Sequence, residues 1–291
     1  MPAHPATLES ATAHILVEDG NVRGYLSSSY GDAFADVYDD WYRDISDVPA
    51  TVRFLAGLAS PTGSVLELGV GTGRLAVPLA SHVGRVAGID TSEKMLEQLA
   101  RNDPDRTVIP MVGDMVDDLP DDPSGDGYDV IVTAYNTLFN LLTAERQQAC
   151  FTRVAERLAP AGSFVVEAFV PRAHTGSQVS VRSMAADRVV LSASVHQAAG
   201  QRAEGQFIEI TEIGGVRLRP WAIRWAMPDE LDAMAVAAGL ELSERWADFD
   251  RSPFDPGDHL SSDSSGDPSS DGGSERHVSV YRRRSRSGQA A

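Results

Sequence analysis

The apolar positions of this chain change period several times, and each change marks an element. At residues 65–80 (VLELGVGTGRLAVPLA), Val65, Leu66 and Leu68 form a short run with strand character. Three glycines follow at alternate positions, and helical spacing begins at Arg74 with Leu75, Leu79 and Ala80. Strand-like runs recur at residues 85–90 (RVAGID), 107–114 (TVIPMVGD), 128–135 (YDVIVTAY) and 163–170 (SFVVEAFV). The run at 128–135 is nearly all apolar, as expected of a strand covered on both faces. Helical segments lie between these strands. One, at 94–100, is opened in capping-box style by Asp90-Thr-Ser-Glu93. Another, at 143–159, carries Phe151, Val154 and Leu158 on one face and stops at Pro160-Ala-Gly162. Such alternation predicts an α/β fold, a doubly wound and mostly parallel sheet with helices on both faces.

Two helical stretches precede this core. Residues 30–42 (YGDAFADVYDDWY) place Phe34, Tyr38 and Trp41 or Tyr42 near one face, and residues 47–59 have Pro49 near their start. Between residues 178 and 225 the period drops to two, in VSVRSM, RVVLSASVH, GQFIEIT and VRLRPWAIRW, which predicts an antiparallel insertion. Residues 228–239 return to helix, with Pro228 in the first turn and Gly239 at the end. Residues 241–249 and 277–282 are expected to be a closing pair of strands, which brings the sheet to seven.

The expected organisation is a mobile arm at 1–29, a core with its preceding helices at 30–170 and an antiparallel cap at 171–227. A C-terminal helix and closing strands follow at 228–283, and a basic tail at 284–291. Residues 255–274 are Ser, Asp, Gly and Pro with almost no apolar content, and are expected to be disordered.

Composition narrows the function classes. At 291 residues, the chain fits one large domain or one domain with a small addition. No apolar run reaches membrane length and the N-terminus lacks the pattern of a secretion signal, so a soluble, cytoplasmic protein without a membrane partner is expected. The single cysteine, Cys150, excludes an internal disulfide and a multi-cysteine metal site. No His, Cys, Asp or Glu group has metal-ligand spacing. A net charge of −17 argues against a nucleic-acid partner. Arg282, Arg283, Arg284 and Arg286 form the one basic cluster, read as a solvated tail. Lys94 is the only lysine against 24 arginines, which suggests a GC-rich bacterial genome.

The candidate chemistry gathers at the glycines. Gly69, Gly71 and Gly73 make G-x-G-x-G, a loop whose backbone N–H groups can approach a ligand closely. The third glycine of the dinucleotide fingerprint would fall at Arg74, which argues against a nicotinamide oxidoreductase. Glu67 sits inside the strand and needs a partner there, either a ligand ammonium or loop N–H groups. Asp90 closes the second strand, where a doubly wound sheet places its ribose-binding acid.

An acid, the three glycines and a second acid closing the next strand resemble motif I of the class I S-adenosylmethionine (SAM)-dependent methyltransferases, a Rossmann-like family. The specific match covers residues 65–135. The resemblance implies SAM as cofactor and an antiparallel seventh strand. It implies that Gly69, Gly71 and Gly73 face the methionyl part, Glu67 its ammonium, and Asp90 the ribose hydroxyls, with Thr91 and Met95 beside the adenine. Gly113, Asp114 and Met115 match the position that reads the adenine edge. Tyr30 and Tyr38 match tyrosines of the covering helices, where they either contact the cofactor or pack the helix onto the core. Tyr135 and Asn136 fall where the fold faces the sulfonium. Asn136 either positions an acceptor or the cofactor carboxylate, or caps the next turn.

The Asn/Asp-Pro-Pro-aromatic motif of DNA adenine methyltransferases is missing, and residues 135–139 look more like small-molecule N- and O-methyltransferases. A small-molecule acceptor is therefore expected. The alternatives are a SAM-binding enzyme that catalyses another reaction, and a peptide or protein methyltransferase. His196, ending RVVLSASVH, is the candidate general base; Glu209, Arg219 and Arg224 are candidates to line the acceptor pocket. An exposed edge of the inserted sheet could pair with a second copy, giving a homodimer.

Overall fold

The structure is a computed structural model that describes residues 17–18, 21–22, 24–43, 45–172, 174–257 and 273–284. Most of the arm expected to be mobile, most of the 255–274 insert and the tail beyond Arg284 lie outside the described residues. Strands β1 (Val17–Glu18) and β2 (Asn21–Val22) pair antiparallel, and helices α1 (Ser29–Phe34), α2 (Tyr38–Trp41) and α3 (Val48–Leu58) follow. The α3 start is local chemistry: Asp47 accepts a hydrogen bond from the Ala50 N–H, and Pro49 stands where no donor is needed.

The core then alternates β3 (Ser64–Leu68), α4 (Ala76–Leu79), β4 (Arg85–Asp90), α5 (Glu93–Asn102), β5 (Val108–Val112), β6 (Tyr128–Thr133), α6 (Ala144–Arg157) and β7 (Leu158–Phe169). Strands β8 (Gly176–Met184), β9 (Arg188–Gln197), β10 (Arg202–Thr211) and β11 (Gly215–Arg224) form a separate antiparallel sheet in the order β11-β10-β9-β8. Helix α7 (Pro228–Ala237), β12 (Leu240–Trp246) and β13 (Arg276–Arg283) complete the chain. The main sheet has seven strands in the order β12-β13-β7-β6-β3-β4-β5. Strand β13 runs antiparallel to both neighbours, and the remaining pairs are parallel.

Strand parity explains the two cores. All of β3 is buried, and its side chains alternate between faces. Leu66 and Leu68 join Ile131, Phe151, Phe164 and Tyr281, with α6 and α7 on that side. Val65 joins Val86, Val130, Phe54, Leu79 and Leu99, with α3, α4 and α5 on the other. Among the described residues, no helix is long and apolar enough to cross a membrane.

Several sequence expectations shift. The single helix expected at 30–42 is split into α1 and α2, and the strand expected from Ser163 starts at Leu158, directly after α6. The helix expected from Arg74 begins at Ala76, because the glycine loop turns first, with the Gly73 N–H on the Val70 carbonyl. The cap of α5 is Ser92, which accepts from the Met95 N–H; Asp90 is committed elsewhere. Strand β6 stops at Thr133 rather than Tyr135, because Tyr135 and Asn136 take left-handed backbone angles of φ 54° and 62°.

Candidate active site

A cavity of about 290 Å³ opens where the C-terminal ends of β3, β4, β5 and β6 meet α1, α2 and the second sheet. Strand order reverses between β3 and β6, and ligands of open α/β sheets bind at such a point. At its floor, the Gly71 N–H donates to Asp90 Oδ2 at 2.9 Å, and the Ser92 N–H donates to Oδ1 at 2.9 Å. Gly71 needs φ +56° to make this bond, and a Cβ there would stand in open cavity space. Burial pushes the Asp90 carboxyl above its usual range against those two donors. Each of its oxygens keeps a free lone pair.

Helix α5 leaves this floor with Met95 buried against the cavity and Thr91 bonded to the Ser27 carbonyl at 3.1 Å. The covering helix comes close: a Cβ on Gly31 would sit 2.4 Å from Ser92 Cβ, and Ser92 Oγ donates to Asp32 at 2.8 Å. Gly113, Asp114 and Met115 line one side. Asp114 Oδ1 accepts from the Val116 N–H at 2.8 Å and from Arg146 at 2.6 Å. Among the described residues, no protein group accepts from the Met115 N–H.

The far wall is aromatic. Tyr30 stacks on Phe34 at 4.5 Å, Tyr38 meets Tyr42 at 4.9 Å with the rings tilted 48°, and burial raises the Tyr30 and Tyr38 hydroxyls well above 10. The Tyr135 N–H donates to the Glu167 carboxylate, and the Arg74 guanidinium lies 3.7 Å from the Tyr135 ring centroid. Asn136 makes no side-chain cap; its Oδ1 accepts from the Phe169 N–H at 2.7 Å, tying β6 to β7.

Of the residues named from sequence, Tyr30, Tyr38, Gly69, Gly71, Asp90, Thr91, Met95, Gly113, Asp114, Met115, Tyr135 and Asn136 line this cavity. Gly73 and Glu67 do not. Glu67 is buried beneath the loop, where burial raises its carboxyl to about 8. The Arg74 charge and the Ala76 N–H pull the other way.

His196 stands outside the cavity lining. Its ring is tilted 34° against that of His174, with centroids 4.1 Å apart, and bonds Ser194 Oγ at 3.1 Å. The pleat gives it the parity of Phe207, but it sits on β9, one strand beyond β10 and two from β11. Glu209, Arg219 and Arg224 are also absent from the lining and are buried in ion pairs. Arg219 joins Asp36 at 2.6 Å and Glu209 at 2.8 Å; Arg224 joins Glu230 at 2.5 Å. Sequence reading missed Tyr42, Asn140, Leu141, Phe169, Phe207, Trp221 and Ile223. The aromatic spacing of residues 30–42 was the one available signal, and it pointed to Tyr42.

Comparison with known proteins agrees with this geometry. The family described as "Methyltransferase domain" matches residues 65–162. The cypemycin N-terminal methyltransferase of Streptomyces sp is 30% identical over 186 residues, covering 62% of this chain and 73% of that protein. The dTDP-3-amino-3,4,6-trideoxy-alpha-D-glucopyranose N,N-dimethyltransferase of Streptomyces venezuelae is 32% identical over 141 residues, 46% of this chain and 56% of that one. Among solved structures, the CcbJ methyltransferase from Streptomyces caelestis is 38% identical with a TM-score of 0.77, covering 90% of this chain and 100% of that chain. The chain belongs to the class I S-adenosylmethionine-dependent methyltransferases, enzymes that use SAM as cofactor.

Proposed function

We propose that this enzyme methylates an amine nitrogen of a small molecule held between the core and the antiparallel cap. The observation that carries the reading is that, among the described residues, the cavity lining has no histidine, lysine or cysteine, and its two carboxylates, Asp90 and Asp114, are engaged by the Gly71 and Ser92 N–H groups and by the Val116 N–H and Arg146. An alcohol acceptor needs a base in the site, whereas an amine needs only to lose its own proton. The names of the relatives, which include N-methyltransferases acting on an amino sugar and on a peptide N-terminus, support nitrogen as well.

The residues present suit the cofactor. Asp90 holds the ribose hydroxyls through its two free lone pairs, and Gly69 and Gly71 border the methionyl part. Met95 and Met115 enclose the adenine, whose edge meets the Met115 N–H and the second oxygen of Asp114. Thr91 steadies the first turn through its bond to Ser27. Glu67 acts through the loop, fixing the Arg74–Ala76 turn, and Gly73 shapes that turn. SAM supplies an electrophilic methyl group on a sulfonium sulfur. Tyr30, Tyr38 and Tyr135 exclude water around it, and the free amide N–H₂ of Asn136 orients either the acceptor or the cofactor carboxylate. Alignment and desolvation then provide most of the acceleration.

Two measurements test this. Calorimetry on wild type and Asp90→Ala is expected to show SAM binding weakened about ten- to a hundred-fold, the cost of a lost bidentate acceptor. Release of S-adenosylhomocysteine with amine acceptors, and none with their hydroxyl counterparts, is expected in a paired screen. Methylation of the hydroxyl compounds alone would sink the nitrogen assignment.

A further inference from the structure

The wall opposite Asp90 is built by Tyr42, Leu141, Phe169, Phe207, Trp221 and Ile223. Among the described residues, no arginine, lysine or histidine lines the cavity. Several arginines among the described residues stand close by, and none lines it. Arg146 is paired with Asp114 and Asp117, at 2.6 and 2.9 Å. Arg74 lies over the Tyr135 ring and donates to the Tyr42 carbonyl at 3.2 Å. Arg182 is exposed on β8, 4.8 Å from the Phe207 centroid and 5.4 Å from that of Tyr42. A diphosphate brought into such a site would lose its hydration without gaining cationic donors, which is strongly unfavourable. Among the described residues, two buried groups of the lining have no hydrogen-bond partner, the Tyr135 hydroxyl and Trp221 Nε1, and the indole N–H is the one that belongs to this wall. An orphan indole N–H beside aromatic surface calls for a ligand oxygen.

Resting on the amine methyl-transfer reading above, we infer that the acceptor is a phosphate-free amine. Its apolar or aromatic body fills this wall, and one of its oxygens accepts from the Trp221 indole N–H. The substrate class therefore parts from that of the Streptomyces venezuelae relative, whose name carries a nucleotide diphosphate. Trp221 is a specificity residue in this account, and the cap sheet that carries it selects the acceptor.

The test is calorimetry on the full chain, first with S-adenosylhomocysteine and then, on the loaded protein, with two probes. One is a thymidine-diphosphate-linked amino sugar, and the other is an aryl glycoside of the same amino sugar. The aryl glycoside is expected to bind at least about ten-fold more tightly. Trp221→Phe is expected to weaken it about five- to ten-fold while leaving S-adenosylhomocysteine affinity within about two-fold, and Arg182→Ala to leave the preference in place. Equal affinities, a preference for the nucleotide-linked probe that Arg182→Ala removes, or a Trp221→Phe variant that binds the aryl glycoside like wild type overturns the inference. Failure of S-adenosylhomocysteine to bind instead brings down the methyltransferase reading of the cavity, and this inference with it.

Discussion

Every residue of β3 is buried, whereas every residue of β8 is exposed, including Val179 at 71% and Met184 at 73%. The two strands belong to sheets held by different means. The main sheet lies between two apolar layers, so its stability scales with buried area and is spread over many side chains. The cap sheet is held to the covering helices by a few specific contacts. Arg219, 1% exposed, bridges Asp36 after α1 and Glu209 on β10, and also donates to the Ala33 carbonyl. Phe207 meets Phe34 and Trp41 edge-on, each at 5.8 Å. A broad core gives a rigid floor for the cofactor, and a cap joined at few points can differ between relatives without disturbing that floor. Regions stabilised by few buried contacts are also those that open locally.

Substitutions can break or sharpen this contrast. The largest effect is expected in the main core, where Phe151 packs edge-on against Phe164 and Tyr281 at 5.1 and 5.5 Å. Phe151→Ala should cost about 3–5 kcal/mol of global stability by chemical denaturation, lowering protection of all main-sheet amides together. Next comes Arg219→Met, which keeps the bulk but removes the buried guanidinium that Glu209 and Asp36 share, leaving them Arg188 and Arg217 alone, at a cost of about 1.5–3 kcal/mol. Hydrogen exchange should accelerate in α1, β10 and β11 while β3 and β6 keep their protection. Equal acceleration in both sheets would show that the cap and core open as one unit and would end the comparison.

The smallest effect concerns the loop between the regions. The Glu67 carboxyl is raised to about 8 by burial, so the folded chain keeps a proton that the unfolded chain has released. Its contribution to stability is full below the ordinary carboxylate range and declines as pH rises toward 8. Glu67→Gln should remove that slope, with thermal unfolding of the variant and wild type converging near pH 5. The variant should then gain on wild type toward pH 8. A constant difference across that range would mean that Glu67 is ionised throughout.

The elements of the core were legible because their signals are local. Parity along residues 64–68, Pro49 after Asp47 and the glycine–acid spacing act within a few residues, and the cavity floor at Gly69, Gly71 and Asp90 is made of them. Asp90 shows where local reading stops. Its place at the end of β4 was readable, but the Asp90-Thr-Ser-Glu93 pattern pointed to it as the helix cap. The Gly71 N–H, reaching across from the neighbouring strand's loop, is one of the contacts that gave it another task. His196 lies outside the cavity lining for a related reason, since period two gives a side chain its face but not the neighbour that face meets.

The sequence alone determined the order of strands and helices, the buried parity of the sheet and the acid–glycine loop that marks the family. Those features follow from backbone sterics, periodicity and hydrogen bonds between near neighbours. Tertiary structure decided the acceptor side. Arg219 meets Asp36 across 183 residues, and Phe207, Trp221 and Tyr42 share one cavity through packing of α2 and the cap against the core. No repeat or spacing encodes such meetings, because they depend on how separately formed elements bury their remaining surfaces against one another.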